Sequence, residues 1–149
     1  MFESGAIVLH LAERCEALAP SDPAGRARTK TWVLAALNSV EPGVSELAEI
    51  DIFHAGEDWT HERRPQVVEG LRTRLSGLAA ALGERDYLEG RFTAGDLMMT
   101  TVLRGLGESG LLEHFPTLDR YRRRNEARPA FVRALEAQLA DFRAHEPPG

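Results

Sequence analysis

Apolar positions recur at threes and fours along most of this chain, the spacing that keeps one side of a helix dry. After Pro23, the residues Val33, Leu37, Val40, Val44 and Leu47 form one such stripe, and Val68, Leu71, Leu75, Leu78 and Leu82 form a second that stops at Gly83. Pro42 falls inside the first stripe. It brings no N–H to the helix and its ring crowds the carbonyl four residues back, so a kink or break is expected there. Between the stripes, Ile50 to Trp59 mixes acids, a histidine and Gly56 and reads as a loop, with the second helix starting at Thr60 or His61. Two amphipathic helices joined by a loop predict an antiparallel hairpin.

The remaining segments extend the same pattern. A first helix is expected from about Gly5 to Ala17, with Ile7, Leu11 and Leu18 on one stripe, ending before Pro20. Leu88 to Phe92 reads as a short connector, and Leu97, Met98, Met99, Val102, Leu103 and Leu106 make a helix apolar nearly all round, as a central helix with neighbours on every side should be. A short helix near Leu118 to Ala127 follows, then a last one opened by Pro129, with Val132, Leu135, Leu139 and Phe142 inward. The Pro147-Pro148-Gly149 tail is expected to be loose. No period-two strand appears after residue 4, so the fold class is all-α, a bundle of about five or six helices after the first.

Capping chemistry sharpens three helix starts. Asp22 can cap and Pro23 suits the first helical position. Thr93 and Asp96 stand in capping-box register, with Phe92 and Leu97 placed to staple the turn; the pair reads as structural, not catalytic. Met1 to Ile7 reads as a strand end running into a helix capped by Ser4. There, free backbone N–H groups, a hydroxyl and the Glu3 carboxylate meet within one turn, a set able to hold a zwitterionic amino-acid head group.

Composition excludes more than it assigns. A chain of 149 residues can bury a core without metal or disulfide, and its single cysteine leaves no internal disulfide to make. No secretory signal or membrane-length apolar run is visible, and a cytoplasmic setting is the simplest reading. A net charge of -5 argues against broad nucleic-acid binding. Arg120, Arg122, Arg123, Arg124, Arg128 and Arg133 are interleaved with Asp119, Glu126 and Glu136 and read as a solvated face with helix ion pairs. His54 and His61 do not stand in the register of a two-histidine zinc helix, and His10, His114 and His145 are scattered, so no metal site is expected. Cys15 lies at the far end of the expected first helix, away from a helix N-terminus, and is expected to be a small packing residue. Trp32 reads as core or interface.

Glu3-Ser4-Gly5-Ala6-Ile7-Val8-Leu9-His10-Leu11-Ala12-Glu13 resembles the γ-glutamyl-binding segment of the glutathione transferase superfamily, and Phe92-Thr93-Ala94-Gly95-Asp96-Leu97-Met98-Met99 resembles the capping motif of its helical C-terminal domain. The resemblance runs over nearly the whole chain, including Trp32 to Pro42 and Tyr121 to Leu135. It implies residues 1–19 as a remnant of a thioredoxin-like domain and residues 20–149 as the all-helical domain, with Glu3 and Ser4 as glutathione-binding residues and glutathione as co-substrate. The family's thiol-activating Tyr, Ser or Cys and its cis-proline loop would lie upstream of the Glu-Ser pair. The resemblance therefore implies an N-terminally truncated transferase with no catalytic residue of its own, inactive as this chain, whose complete relative joins glutathione to electrophiles. Self-association or a homodimer is expected. The alternative is a non-catalytic helical interaction module, and a helical nucleic-acid regulator rests on the arginine run alone.

Overall fold

The computed structural model describes residues 1–107 and 109–145, and every regular element among them is helical. The elements are α1 (Ser4–Ala12), α2 (Pro23–Ala35), a π-helical turn (Ala36–Val40), α3 (Glu41–Ala48), a second π turn (Glu49–Phe53), α4 (Asp58–Leu82), α5 (Ala94–Arg104), a 3-10 turn (Leu111–His114), α6 (Pro116–Glu126) and α7 (Pro129–Ala144). The Pro147-Pro148-Gly149 tail lies outside the described residues.

The break at Pro42 is solved by widening the helix. In a regular α-helix Pro42 would owe an N–H to Asn38; instead the chain passes through a π turn in which the Glu41 N–H reaches back five residues to Ala36. The helix then continues as α3, and the second π turn carries it to Phe53, where His54 N–H bonds Glu49 O at 3.0 Å. The loop expected over Ile50 to Trp59 is thus only His54 to Glu57, and α4 starts at Asp58, two residues before Thr60. Mixed acids in the sequence hid helical backbone whose one buried anchor is Ile50. Ion pairs join the two arms of the hairpin: Arg63 to Glu46 at 2.6 Å and Arg64 to Asp51 at 2.7 Å.

The core takes Val33, Val40, Val44 and Leu47 from the bent first arm and Leu71, Leu75, Leu78 and Leu82 from α4, as the stripes predict, but Ala36 is fully buried where the stripe had Leu37, which is half-buried against the core. Val67 rather than Val68 is the fully buried valine of α4. Each buried leucine contributes about 1.5–3 kcal/mol over its exposed state. Gly83, at φ 58°, ends α4 in a conformation that a side chain would strain. The middle of the molecule is α5, which buries Ala94, Gly95, Asp96, Met98, Met99, Thr100, Val102 and Leu103.

Two ends of the chain depart from expectation. Helix α1 stops at Ala12, and its buried positions are Gly5 and Ala12 with Val8 and Leu9 half-buried, whereas Ile7 and Leu11 are exposed. A helix as uniformly apolar as Ala6 to Ala12 has no polar side to reveal its inward face. Helix α7 forms where Pro129 predicts it but buries no residue: Val132, Leu139 and Phe142 face solvent. Leu135, the remaining residue of the expected stripe, is half-buried, and Phe131 lies under the Arg104 guanidinium. Cys15 is likewise exposed, in the turns after α1, and is not a packing residue.

Candidate functional site

The candidate site is the start of α1. Ser4 is the first helical residue and Glu3 occupies the cap position with no side-chain capping bond, so the expected Ser4 cap does not form, and Met1 and Phe2 are not in a strand. Glu3 has φ 70° and ψ 113°. It is the one non-glycine residue with positive φ among the described residues. Such a conformation costs about 1–3 kcal/mol and persists only where its surroundings over-determine it.

Two residues on, α1 is seated by close packing. A Cβ on Gly5 would fall 2.6 Å from Leu37 Cδ1, so the missing side chain lets α1 lie directly against the first arm of the hairpin. The first helical hydrogen bond runs from Ile7 N–H to Glu3 O at 3.0 Å, which leaves the N–H groups of Ser4, Gly5 and Ala6 without intrahelical acceptors. Glu3 and Ser4 are both exposed. An exposed carboxylate, a hydroxyl and a cluster of free N–H donors at the positive end of a helix can take a group bearing both an anion and a cation.

The second predicted pair, Thr93 and Asp96, is buried and forms its capping box. Asp96 Oδ2 accepts from Thr93 N–H at 2.8 Å and from the Thr93 hydroxyl at 2.9 Å; Asp96 Oδ1 accepts from Leu88 N–H at 2.8 Å and from the Tyr121 hydroxyl at 2.9 Å. Burial pushes the Asp96 carboxyl above its usual range, against the pull of those four donors. Tyr121 is pushed well up, first by burial and then by the Asp96 charge. This cluster opens α5, and Ala94 N–H bonds Leu18 O at 2.7 Å, which ties the segment after α1 to the same corner. The link from Asp96 to Leu88 and Tyr121 has no sequence signal, because neither lies in the local capping register. Phe92 meets Tyr87 edge-on at 5.8 Å and carries the Arg128 guanidinium 3.6 Å from its ring centre.

The other candidates separate. Trp32 is half-buried and donates to Glu89 at 3.0 Å, and Glu89 also holds Arg28 at 2.6 Å, a clasp between α2 and the connector that sequence spacing does not disclose. The arginine run forms helix ion pairs, with Arg122 on Asp119 and Glu126 at 2.8 Å each. His54 and His61 join no group of three metal-ligating side chains among the described residues.

No protein-family model and no curated protein matches this chain. Solved structures do. A glutathione transferase from Burkholderia graminis, solved with two glutathione molecules per subunit, is 30% identical over 91% of this chain and 60% of its own, with a TM-score of 0.85. A glutathione transferase family member from Pseudomonas fluorescens, with two glutathione bound, is 28% identical over 91% of this chain and 63% of its own, with a TM-score of 0.79. A glutathione transferase from Pseudomonas putida, with glutathione disulfide bound, is 25% identical over all of this chain and 63% of its own, with a TM-score of 0.81. The all-helical bundle is the architecture of the helical domain in these proteins. The chain has the fold of the glutathione transferase superfamily's helical domain, and it spans about three-fifths of the length of these similar proteins.

Proposed function

We propose that Glu3 and Ser4 anchor the γ-glutamyl end of glutathione, and that the complete protein joins glutathione to electrophiles. The α-carboxylate takes the free N–H groups and hydroxyl at the start of α1, and the α-ammonium pairs with Glu3. The observation that carries this reading is the positive φ of Glu3 directly before three unused N–H donors, with its carboxylate exposed beside them. Glutathione in the solved relatives supports the choice of ligand.

Anchoring positions a thiol and does not ionise it. The far end of α1, Ala12, is about 12 Å from Ser4 at 1.5 Å per helical residue, Cys15 lies in the turns beyond it, and Tyr121 is buried on Asp96. These 149 residues by themselves therefore bind glutathione weakly and do not catalyse conjugation. Calorimetry should show a dissociation constant on the order of 1 mM, worth about 4 kcal/mol, weakened by Glu3→Gln. A chlorodinitrobenzene assay should stay at the uncatalysed rate. No heat at millimolar glutathione removes the anchor, and conjugation well above background removes the inactivity.

The exposed part of the apolar stripe of α7 favours a second reading, a non-catalytic helical module whose Val132, Leu139 and Phe142 meet another protein surface or a second copy.

A further inference from the structure

The tip of the hairpin holds a second organised surface, well away from Glu3. Gly5 abuts Leu37, and Phe53 lies sixteen residues further along the same arm, roughly 20 Å at helical rise. At the tip three large apolar side chains face solvent: Ile52 at 68% exposure, Phe53 at 71% and Trp59 at 47%. The second π turn puts the first two there, since it keeps Ile50 in the core while turning the next residues outward.

The surface is built, not loose. Glu57 accepts from Trp59 Nε1 at 2.6 Å and pairs with His54 Nδ1 at 2.9 Å, and the His54 ring meets Trp59 edge-on at 5.3 Å. His54, then Trp59, holds the Glu57 carboxyl below its ordinary 4.5, so it stays charged at neutral pH. The Thr60 hydroxyl closes the turn on Glu57 O at 2.6 Å. Beside it opens a hollow of about 330 Å³ lined in part by Ile50, Ala55, Gly56 and Pro65, large enough for one anchoring side chain.

The neighbouring acids fix the partner's charge. Residues 49–62 contain five acids and no lysine or arginine; Asp51 is committed to Arg64 and Glu57 to His54 and Trp59, which leaves Glu49, Asp58 and Glu62 exposed on the same stretch of chain as the apolar side chains. We propose that the tip docks a basic amphipathic segment of a partner protein, its apolar side received by Ile52, Phe53 and Trp59 and its lysines or arginines by those three carboxylates. A rigid apolar patch spares the cost of ordering side chains on binding, and the acids select against acidic partners and anionic lipid.

Trp59 is its own reporter. In the Trp32→Phe chain it is the one remaining tryptophan. The probes are two 18-residue amphipathic peptides with the same apolar side, one carrying lysines and one glutamates. The lysine peptide should shift Trp59 emission to the blue saturably in the micromolar range and weaken at least tenfold between 50 and 500 mM salt. Ile52→Ser with Phe53→Ser should cost at least tenfold in affinity at an unchanged urea midpoint, since both residues are exposed. The indole N–H signals of the unaltered chain in NMR give the same reading should Trp32→Phe fold poorly. No response to the lysine peptide at 100 μM overturns the proposal, as does an equal response to the glutamate peptide, a shift on phosphatidylserine vesicles alone, or a shift that grows with protein concentration and marks a second copy.

Discussion

Asp96 and Tyr121 show what one buried carboxylate holds together. Four donors converge on Asp96 from three places: Leu88 in the connector, Thr93 at the cap and Tyr121 in α6. Asparagine has the same shape but only one acceptor oxygen, and neither backbone N–H can turn away, so Asp96→Asn leaves at least one buried N–H unpaired. We expect Asp96→Asn to cost about 2–4 kcal/mol, and Tyr121→Phe, which removes one donor, about 1–2 kcal/mol. Urea unfolding followed by circular dichroism should show both as lower midpoints at unchanged slope, in that order. A smaller loss for Asp96→Asn than for Tyr121→Phe would refute this ranking. The Thr93–Asp96 half was legible in sequence because a capping box is local, while the Leu88 and Tyr121 half was not, because it depends on which segments meet.

Among elements, the glycines divide by what stands opposite them. A Cβ on Gly95 would fall 2.5 Å from Trp32 Cβ, close to the α2 backbone, so α5 and α2 approach through that gap. Gly77 lies inside α4, and a Cβ there would meet nothing within 4 Å. Gly95→Ala should therefore lose about 1–3 kcal/mol by forcing the helices apart, and Gly77→Ala should gain about 0.5–1 kcal/mol in helix propensity. Thermal melts of both variants test this, and a neutral Gly95→Ala would show that the two helices are not held at that distance. Sequence placed both glycines in or beside helices but could not tell them apart. Pro42 was the opposite case: its chemistry announced a break, and the π turn is the form the break took.

At the scale of the molecule, α7 is the element whose sequence and surroundings disagree. Of its stripe Leu135 is half-buried, while Val132, Leu139 and Phe142, which have the spacing of a buried side, are exposed among the described residues. Changing Leu139 and Phe142 to lysine should leave the unfolding free energy from urea titration within about 0.5 kcal/mol of the parent, since both residues are exposed. The same change should reduce self-association in light scattering at about 100 μM, a concentration at which we expect the parent to associate. A parent chain monomeric under those conditions, or a double variant that unfolds, would count against the reading.

The sequence alone determined what local chemistry can specify: helices from the apolar period, their starts from Asp22, Pro23, Thr93, Asp96 and Pro129, and the Glu3-Ser4 pair that led to the superfamily. Tertiary structure decided which side of α1 turns inward, that the acidic stretch from Ile50 to Phe53 is helical, and that most of the α7 stripe lies exposed. It also set the backbone at Glu3, whose positive φ no local sequence signal announces, and the seat of α1 on the hairpin, where Gly5 lies against Leu37. Periodicity records that a face is apolar; only the assembled neighbours determine whether that face is covered.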